Sequence, residues 1–433
     1  MHVEFNGEVV ESQMSFISKL SMRWHISALT ALLVLSGYAI GLRSAVLPTL
    51  NTDGTAAIDR LFQSAVDARE IPGVVAAVTN QERIVYLKAF GKQDAAKGVP
   101  MSTATVFRIA SMTKPVTSVG VMMLVEQGKL RLDEAAGDYV PSIKGREVIA
   151  TFNEKDATFT TRPAAHPITI RQLLAHTSGL AYSFTSEIAL ALQRKDGTDN
   201  RDMPLLFEPG TKWNYSPATA ILGAIVEKVA GESLEDFDQA RIFRPLGMAD
   251  TSYLLPPEKA ARLVTVHQRD STGLTENPNP AKYVPSVRGD GGLVSTAADY
   301  SAFLQMLLNE GSWHGTRLLK PESVRLMISN QIGSLNVERM PAVLPRTSAA
   351  FPLGAGKDKF GLGFQIAMTD GAATHERAAG SYTWAGINNT HFWVDPKNGI
   401  GVVMMTQVLP FYNATSMDVM KRFEHLIYEN LLR

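Results

Sequence analysis

The chain has 433 residues, 45% of them hydrophobic and 19% charged, which is enough apolar material for a full core and too much for a disordered chain. Its 42 Lys and Arg balance 42 Asp and Glu without a run of like charge, so there is no basic footprint for nucleic acid, and the expected partner is a small molecule. It contains no cysteine, which excludes disulfides, thiolate metal sites and a cysteine nucleophile.

Near the N-terminus, Lys19, Arg23 and His25 precede an apolar stretch over residues 26–42, and the small residues Ser44 and Ala45 follow. This is the layout of a secretory signal, so residues 1–45 predict export to a periplasmic or extracellular location. The apolar stretch is close to the roughly 20 residues of a spanning helix, so an anchor over residues 26–42 is the alternative and the one expected route to a membrane. Gly37, Gly41 and Arg43 favour cleavage.

Residues 74–79 and 83–90 are β-branched or aromatic runs separated by Asn80, Gln81 and Glu82, which predicts an antiparallel hairpin. The middle of the chain has mostly helical apolar spacing, clearest over residues 220–230 and 297–308. Residues 390–394 and 400–406 flank the turn Asp395-Pro396-Lys397-Asn398-Gly399 and predict a second hairpin. A helix-like segment over residues 416–432 closes the chain. Strands at both ends predict an α+β fold: an antiparallel sheet from residues 46–130 and 310–433, flanked by helices, with a mostly helical region 131–309 inserted.

The chemistry concentrates in Phe107-Arg108-Ile109-Ala110-Ser111-Met112-Thr113-Lys114-Pro115, followed by Val116, Val119, Met122, Met123 and Val125, with Gly128 as a stop. Pro115 suits a first helical turn, which puts Ser111 at or just before a helix N-terminus and on one face with Lys114. The free N–H groups and dipole there favour an alkoxide. A serine hydroxyl is a weak nucleophile and needs a base in hydrogen-bond reach, a role lysine fills only when neutral. By itself the tetrapeptide says little, because on the order of one Ser-x-x-Lys is expected by chance in such a chain.

Further segments give it context: Leu173-Leu174-Ala175-His176-Thr177-Ser178-Gly179-Leu180, Glu208-Pro209-Gly210-Thr211-Lys212-Trp213-Asn214-Tyr215-Ser216, Arg244-Pro245-Leu246-Gly247-Met248 and Gly291-Gly292-Leu293-Val294-Ser295-Thr296. With Ser-Met-Thr-Lys opening an amphipathic helix, the chain from about Ala57 to its end resembles the β-lactamase and penicillin-binding-protein superfamily. It looks closest to the class C branch and its esterase members, the family VIII carboxylesterases. The resemblance implies that fold and one catalytic domain over residues 55–433. It also implies a serine esterase with Ser111 as nucleophile, and Lys114 and Tyr215 as the proton relay. The backbone N–H groups of Ser111 and Ile387 would form the oxyanion hole, with no cofactor and no metal. Because a phenol is ordinarily a poor base, Lys114 must hold Tyr215 as phenolate or relay its proton.

Two departures bear on specificity. Trp384-Ala385-Gly386 stands where β-lactamases carry a lysine triplet that helps to hold the substrate carboxylate, and Pro217 stands where they carry an asparagine that contacts the drug's amide side chain. Both point towards neutral ester substrates. Trp384, Gly386 and Tyr182 are the expected substrate-binding residues, Gly386 by letting the strand approach the substrate and Tyr182, with Phe184, by lining an acyl pocket. The alternatives are β-lactam or D-alanyl peptide hydrolysis, acyl transfer to an alcohol and, last because Ser111, Lys114 and Tyr215 are all intact, a non-catalytic binding protein. His176 is expected to pack rather than react. His375-Glu376 lacks the second histidine of a zinc motif, and no Gly-x-Ser-x-Gly elbow occurs.

Overall fold

The computed structural model describes residues 47–277 and 285–433. The expected export signal or anchor over residues 1–45 lies outside the described residues.

Strands β1 (Gly73–Thr79) and β2 (Ile84–Asp94) make the N-terminal hairpin, with the second strand running beyond Phe90. The sheet is completed by β3 (Val99–Pro100), β4 (Lys359–Phe360), β5 (Gln365–Ile366), β6 (Tyr382–Gly386), β7 (Thr390–Asp395) and β8 (Ile400–Met405), in the spatial order β4-β5-β6-β7-β8-β1-β2-β3. All its pairings are antiparallel, and β8 joins β1 with Val403 opposite Ala77, so the two chain ends meet in one sheet.

The continuous apolar run of β1 follows from burial on both faces. Successive side chains point to opposite sides of a strand: Val74, Ala76 and Val78 enter one apolar layer, while Val75 and Ala77 enter the other. The longer helices are α1 (Thr52–Asp67), α2 (Thr113–Glu126), α3 (Glu187–Asp196), α4 (Ala218–Ala230), α5 (Ala297–Leu308) and α6 (Ala414–Glu429). Helices α1 and α6 cover the first layer through Phe62 and Phe423, whose rings lie 4.9 Å apart. Helices α2, α4 and α5 cover the second. In α2 every residue from Thr113 to Leu124 is buried, so the helix has no water-facing stripe and its position is set by packing all round.

The inserted region carries strands as well as its helices. Besides α3, α4 and α5 it holds two antiparallel hairpins, Glu147–Asn153 with Thr158–Pro163 and Val266–Asp270 with Gly273–Asn277. The first was written in Val148, Ile149, Thr151 and Phe152 before the turn and Phe159, Thr160 and Thr161 after it. Much of that hairpin is exposed, so it lacks the buried apolar face that makes periodicity conspicuous.

Behind α2 lies the buried carboxyl of Asp238, which accepts a hydrogen bond from Tyr253 Oη at 3.1 Å through one oxygen, while the other has no partner. Burial pushes this carboxyl up to about 8, with the Tyr253 bond opposing and the Glu235 charge adding to the rise. The folded state therefore holds a proton that the unfolded chain releases near its ordinary value, 3.8. The associated stability is present below that value and is lost as pH rises through about 8. Asp238→Asn is expected to raise the melting temperature more at pH ~8 than at pH ~4. Equal shifts at the two pH values in thermal denaturation would contradict it.

Candidate active site

A 3-10 turn over Ala110–Met112 leads into α2. Ala110 takes a left-handed φ of +44°, a conformation that costs an L residue on the order of 1–2 kcal/mol. The kink holds Ser111 at the mouth of the helix instead of within it. Both sides of the turn are pinned: Ile109 N donates to Leu293 O at 3.1 Å, and Tyr300 Oη donates to Met112 O at 2.9 Å.

Ser111 is half-buried, whereas Lys114 is 1% exposed. Lys114 Nζ donates to Ser111 Oγ at 3.2 Å, to Tyr182 Oη at 3.1 Å and to the Asp290 carbonyl oxygen at 2.8 Å. An ammonium has three N–H donors, and all three are used. The Tyr215 hydroxyl lies 2.6 Å from Ser111 Oγ, and Lys114 Nζ sits 4.7 Å from the Tyr215 ring centroid. The Tyr215 oxygen is thus the nearer of the two groups to Ser111 Oγ, with Lys114 Nζ over its ring.

The fixed orientation of Lys114 comes from the segment 288–293. Gly289 threads between α2 and α4, where a Cβ would come within 2.7 Å of Thr219 O and 2.9 Å of Thr117 Cγ2. Thr117 Oγ1 donates to Gly289 O at 2.8 Å, and Thr113 Oγ1 accepts from Leu293 N at 3.1 Å. This seats the Asp290 carbonyl under Lys114.

The Asp290 carboxylate, itself 4% exposed, accepts from Tyr182 Oη at 2.7 Å and from Arg288 Nε and Nη2 at 3.0 and 2.9 Å. Burial alone would raise this carboxyl. The charges of Lys114 and Arg288 and the bonds from Arg288 and Tyr182 outweigh that and hold it below the ordinary range. Burial, and then the Asp290 charge, keeps the Tyr182 phenol protonated. Tyr182, expected against the acyl group, therefore spends its hydroxyl as a bridge between Lys114 and Asp290. Arg288 and Asp290 were missed in the sequence, although Asp290 directly precedes the Gly291-Gly292 pair and is the one carboxylate beside that motif.

Tyr215 is placed by its neighbours. Asn214 N donates to His176 O at 2.9 Å and Asn214 Nδ2 to Leu180 O at 2.9 Å, which joins the Leu173-to-Leu180 segment to the tyrosine. The His176 ring lies 5.0 Å from the Tyr215 ring, and its Nδ1 is 3.2 Å from Ser216 Oγ. Burial, then the Lys114 charge, holds this imidazole far below its usual value and neutral. It makes no contact with Ser111 that would let it act as a triad base.

Strand β6 forms the opposite wall. Trp384 is 6% exposed, its ring centroid is 4.9 Å from that of Tyr215, and its Nε1 lies 3.5 Å from Tyr215 Oη. The indole presents its N–H edge to the tyrosine oxygen and leaves little surface for a substrate.

Gly386 meets a different neighbour from the one expected. A Cβ there would collide with the Ile109 carbonyl oxygen and Thr390 Oγ1. The glycine lets β6 press on the Ile109 backbone, two residues before Ser111, and Ile387 follows directly at the end of the strand. Neither the Ser111 nor the Ile387 amide is taken up by a carbonyl of a turn or loop. Gly386→Ala is expected to push β6 outward and to lower turnover about a hundredfold, the usual cost of one lost oxyanion donor. A kcat within about threefold of the parent would show that the approach is not needed for such a donor.

Comparison with known proteins agrees with this geometry. The Beta-lactamase family model matches residues 58–425. Lovastatin esterase of Penicillium rubens is 31% identical over 402 residues, covering 86% of this chain and 98% of the esterase. Esterase EstB of Burkholderia gladioli is 29% identical over 390 residues, 81% of this chain and 90% of EstB. Among solved structures, a mutant simvastatin synthase, LovD, from Aspergillus terreus superposes with a TM-score of 0.76 at 28% identity, covering 88% of this chain and 98% of that one. Through the described fold, with its large antiparallel sheet and surrounding helices, and through a family match that spans most of its length, this chain is a member of the beta-lactamase family.

Proposed function

We propose that this protein is a serine esterase that cleaves neutral carboxylic esters through an acyl-enzyme on Ser111. The observation that carries the reading is the 2.6 Å approach of Tyr215 Oη to Ser111 Oγ beside the buried Lys114. Tyr215 takes the serine proton as Oγ attacks the ester carbonyl. For this Tyr215 must be the phenolate, which the Lys114 cation stabilises beforehand and which the serine proton converts to the neutral phenol. The Ser111 and Ile387 amides receive the oxyanion, and Tyr215 returns the proton to the departing alkoxide. Water repeats the sequence against the acyl-enzyme and releases the acid. The esterase names carried by two of the relatives support ester hydrolysis.

The preference for esters over β-lactams rests on Trp384, because an indole at that place offers no cation for a substrate carboxylate. The test is a panel of p-nitrophenyl esters of graded acyl length beside a chromogenic cephalosporin, with a pre-steady-state burst as the mark of the acyl-enzyme. Esters are expected to turn over at least about a hundredfold faster by kcat/KM. Comparable turnover of the cephalosporin would overturn the reading. Trp384→Lys is expected to narrow that gap, and an unchanged ratio would show that the residue does not select substrate.

A second reading shares the same intermediate and differs only in its acceptor: an alcohol in place of water. The likeness to a simvastatin synthase favours it. Adding a primary alcohol to the ester assay separates the two, since transfer yields a new ester at the expense of free acid.

A further inference from the structure

A cavity of about 200 Å³ lies on the far side of β6 from Ser111, between that strand, α6 and the segments around Phe351 and Phe411. It is larger than the ~150 Å³ apolar cavity that admits benzene. Ser111, Lys114 and Tyr215 do not line it. Phe351 and Trp384 do, and both also touch Tyr215, with ring centroids at 5.8 and 4.9 Å. One layer of aromatic rings thus separates the cavity from the catalytic tyrosine.

The lining is aromatic with a few fixed polar groups, the composition of a small-molecule site. Its buried charges are already satisfied: Arg377 donates to both oxygens of Glu424 at 2.7 Å, and Asp358 accepts from Gln365 Nε2 at 2.6 Å and from Met368 N at 3.1 Å, while the other charged lining residues, Lys421 and Glu376, are exposed to water. No buried charge is left over for a charged ligand. His391, 4% exposed and stacked 6.1 Å from Phe411, lines the cavity, and its Nε2 has no hydrogen-bond partner. Burial, reinforced by the Arg377 charge, lowers this imidazole to about 3, so it is neutral at working pH. An unpaired buried ring nitrogen costs free energy that a ligand hydroxyl would recover. At the rim stand two of the exposed large apolar side chains, Leu353 at 43% and Met368 at 52%. Met368 is flanked by the lining residues Ala367 and Thr369, and its amide donates to Asp358, also in the lining, at 3.1 Å.

We propose that this cavity is a second binding site, separate from the Ser111 centre, for a small uncharged amphiphile: a single ring or short chain carrying one hydroxyl that bonds His391. Its apolar body lies against Phe351 and Phe411 and enters past Leu353 and Met368. The proposal stands whether or not Ser111 cleaves esters, because it concerns binding alone.

Fluorine NMR titration of the full chain with 4-fluorophenol and with fluorobenzene tests it. The phenol is expected to bind saturably and about three- to tenfold more tightly than fluorobenzene, the worth of one hydrogen bond. His391→Phe keeps the stacked ring, removes the nitrogen and is expected to abolish that preference. Ala367→Phe, which fills the cavity, is expected to weaken both ligands at least about tenfold while p-nitrophenyl acetate turnover persists. Should that variant not fold, Thr369→Trp at the exposed rim makes the same test. The absence of saturable binding, an undiminished phenol preference in His391→Phe, or full binding in the filled variant would each overturn the proposal. So would displacement of 4-fluorophenol by a fluorophosphonate attached to Ser111.

Discussion

Ser111→Ala is expected to lower ester turnover by about 10⁴- to 10⁶-fold, the range found when a nucleophile that acts within a unit is removed. The size follows from the geometry. Tyr215 and Lys114 both converge on Ser111 Oγ, at 2.6 and 3.2 Å, so without that oxygen the relay has nothing to activate. Covalent labelling by a fluorophosphonate should vanish in the same variant. Because Ser111 is half-buried at a helix mouth, the melting temperature should change little. Persistent labelling would move the nucleophile elsewhere. A loss of turnover accompanied by unfolding would be answered by Ser111→Cys, which keeps a nucleophile of similar size and should label with a thiol reagent.

Lys114→Met is expected to cost about 10³- to 10⁴-fold in kcat, within the range for general acid–base groups. Methionine approximates the lysine stem, which suits a residue 1% exposed and packed between Tyr182 and Tyr215, with Nζ 5.3 and 4.7 Å from their ring centroids. What disappears is the cation that orients Ser111 Oγ and stabilises charge on the Tyr215 oxygen. The Asp290 carboxylate keeps both of its Arg288 bonds, so the variant is not left with an unpaired buried charge, and the fold should survive. The pH–rate profile is the sharper readout. If Lys114 acts through Tyr215, the basic limb of kcat/KM moves in the variant as kcat falls. A uniform fall in kcat with an unmoved profile would assign Lys114 a purely structural part.

Parts of this site and fold were legible in the residues alone. Ser111 and Lys114 were placed by the helix signal around Pro115 and Gly128. The terminal hairpins were visible because β1 and β8 are buried on both faces and so read as unbroken apolar runs. The outer hairpin at Glu147–Pro163 was hidden because its exposed strands carry few of the apolar contacts that generate a pattern. Asp290 and Arg288 were hidden for another reason: they are 176 and 174 positions from Lys114, and a polar contact at that separation leaves no local trace.

By itself, then, the sequence determined the pairing of Ser111 with Lys114 at a helix start, the strand-forming ends of the chain and, through ordered segments, the family resemblance. These depend on local rules: helix-start chemistry, period-two burial and short-range spacing. Only the tertiary structure decided that Tyr215 lies nearer than Lys114 to Ser111 Oγ, that Tyr182 bridges Lys114 to Asp290, and that Gly386 yields to the Ile109 backbone. Each of those rests on a close approach between segments far apart in the chain, and such distances are fixed by the packing of the whole core, which no single stretch of residues encodes.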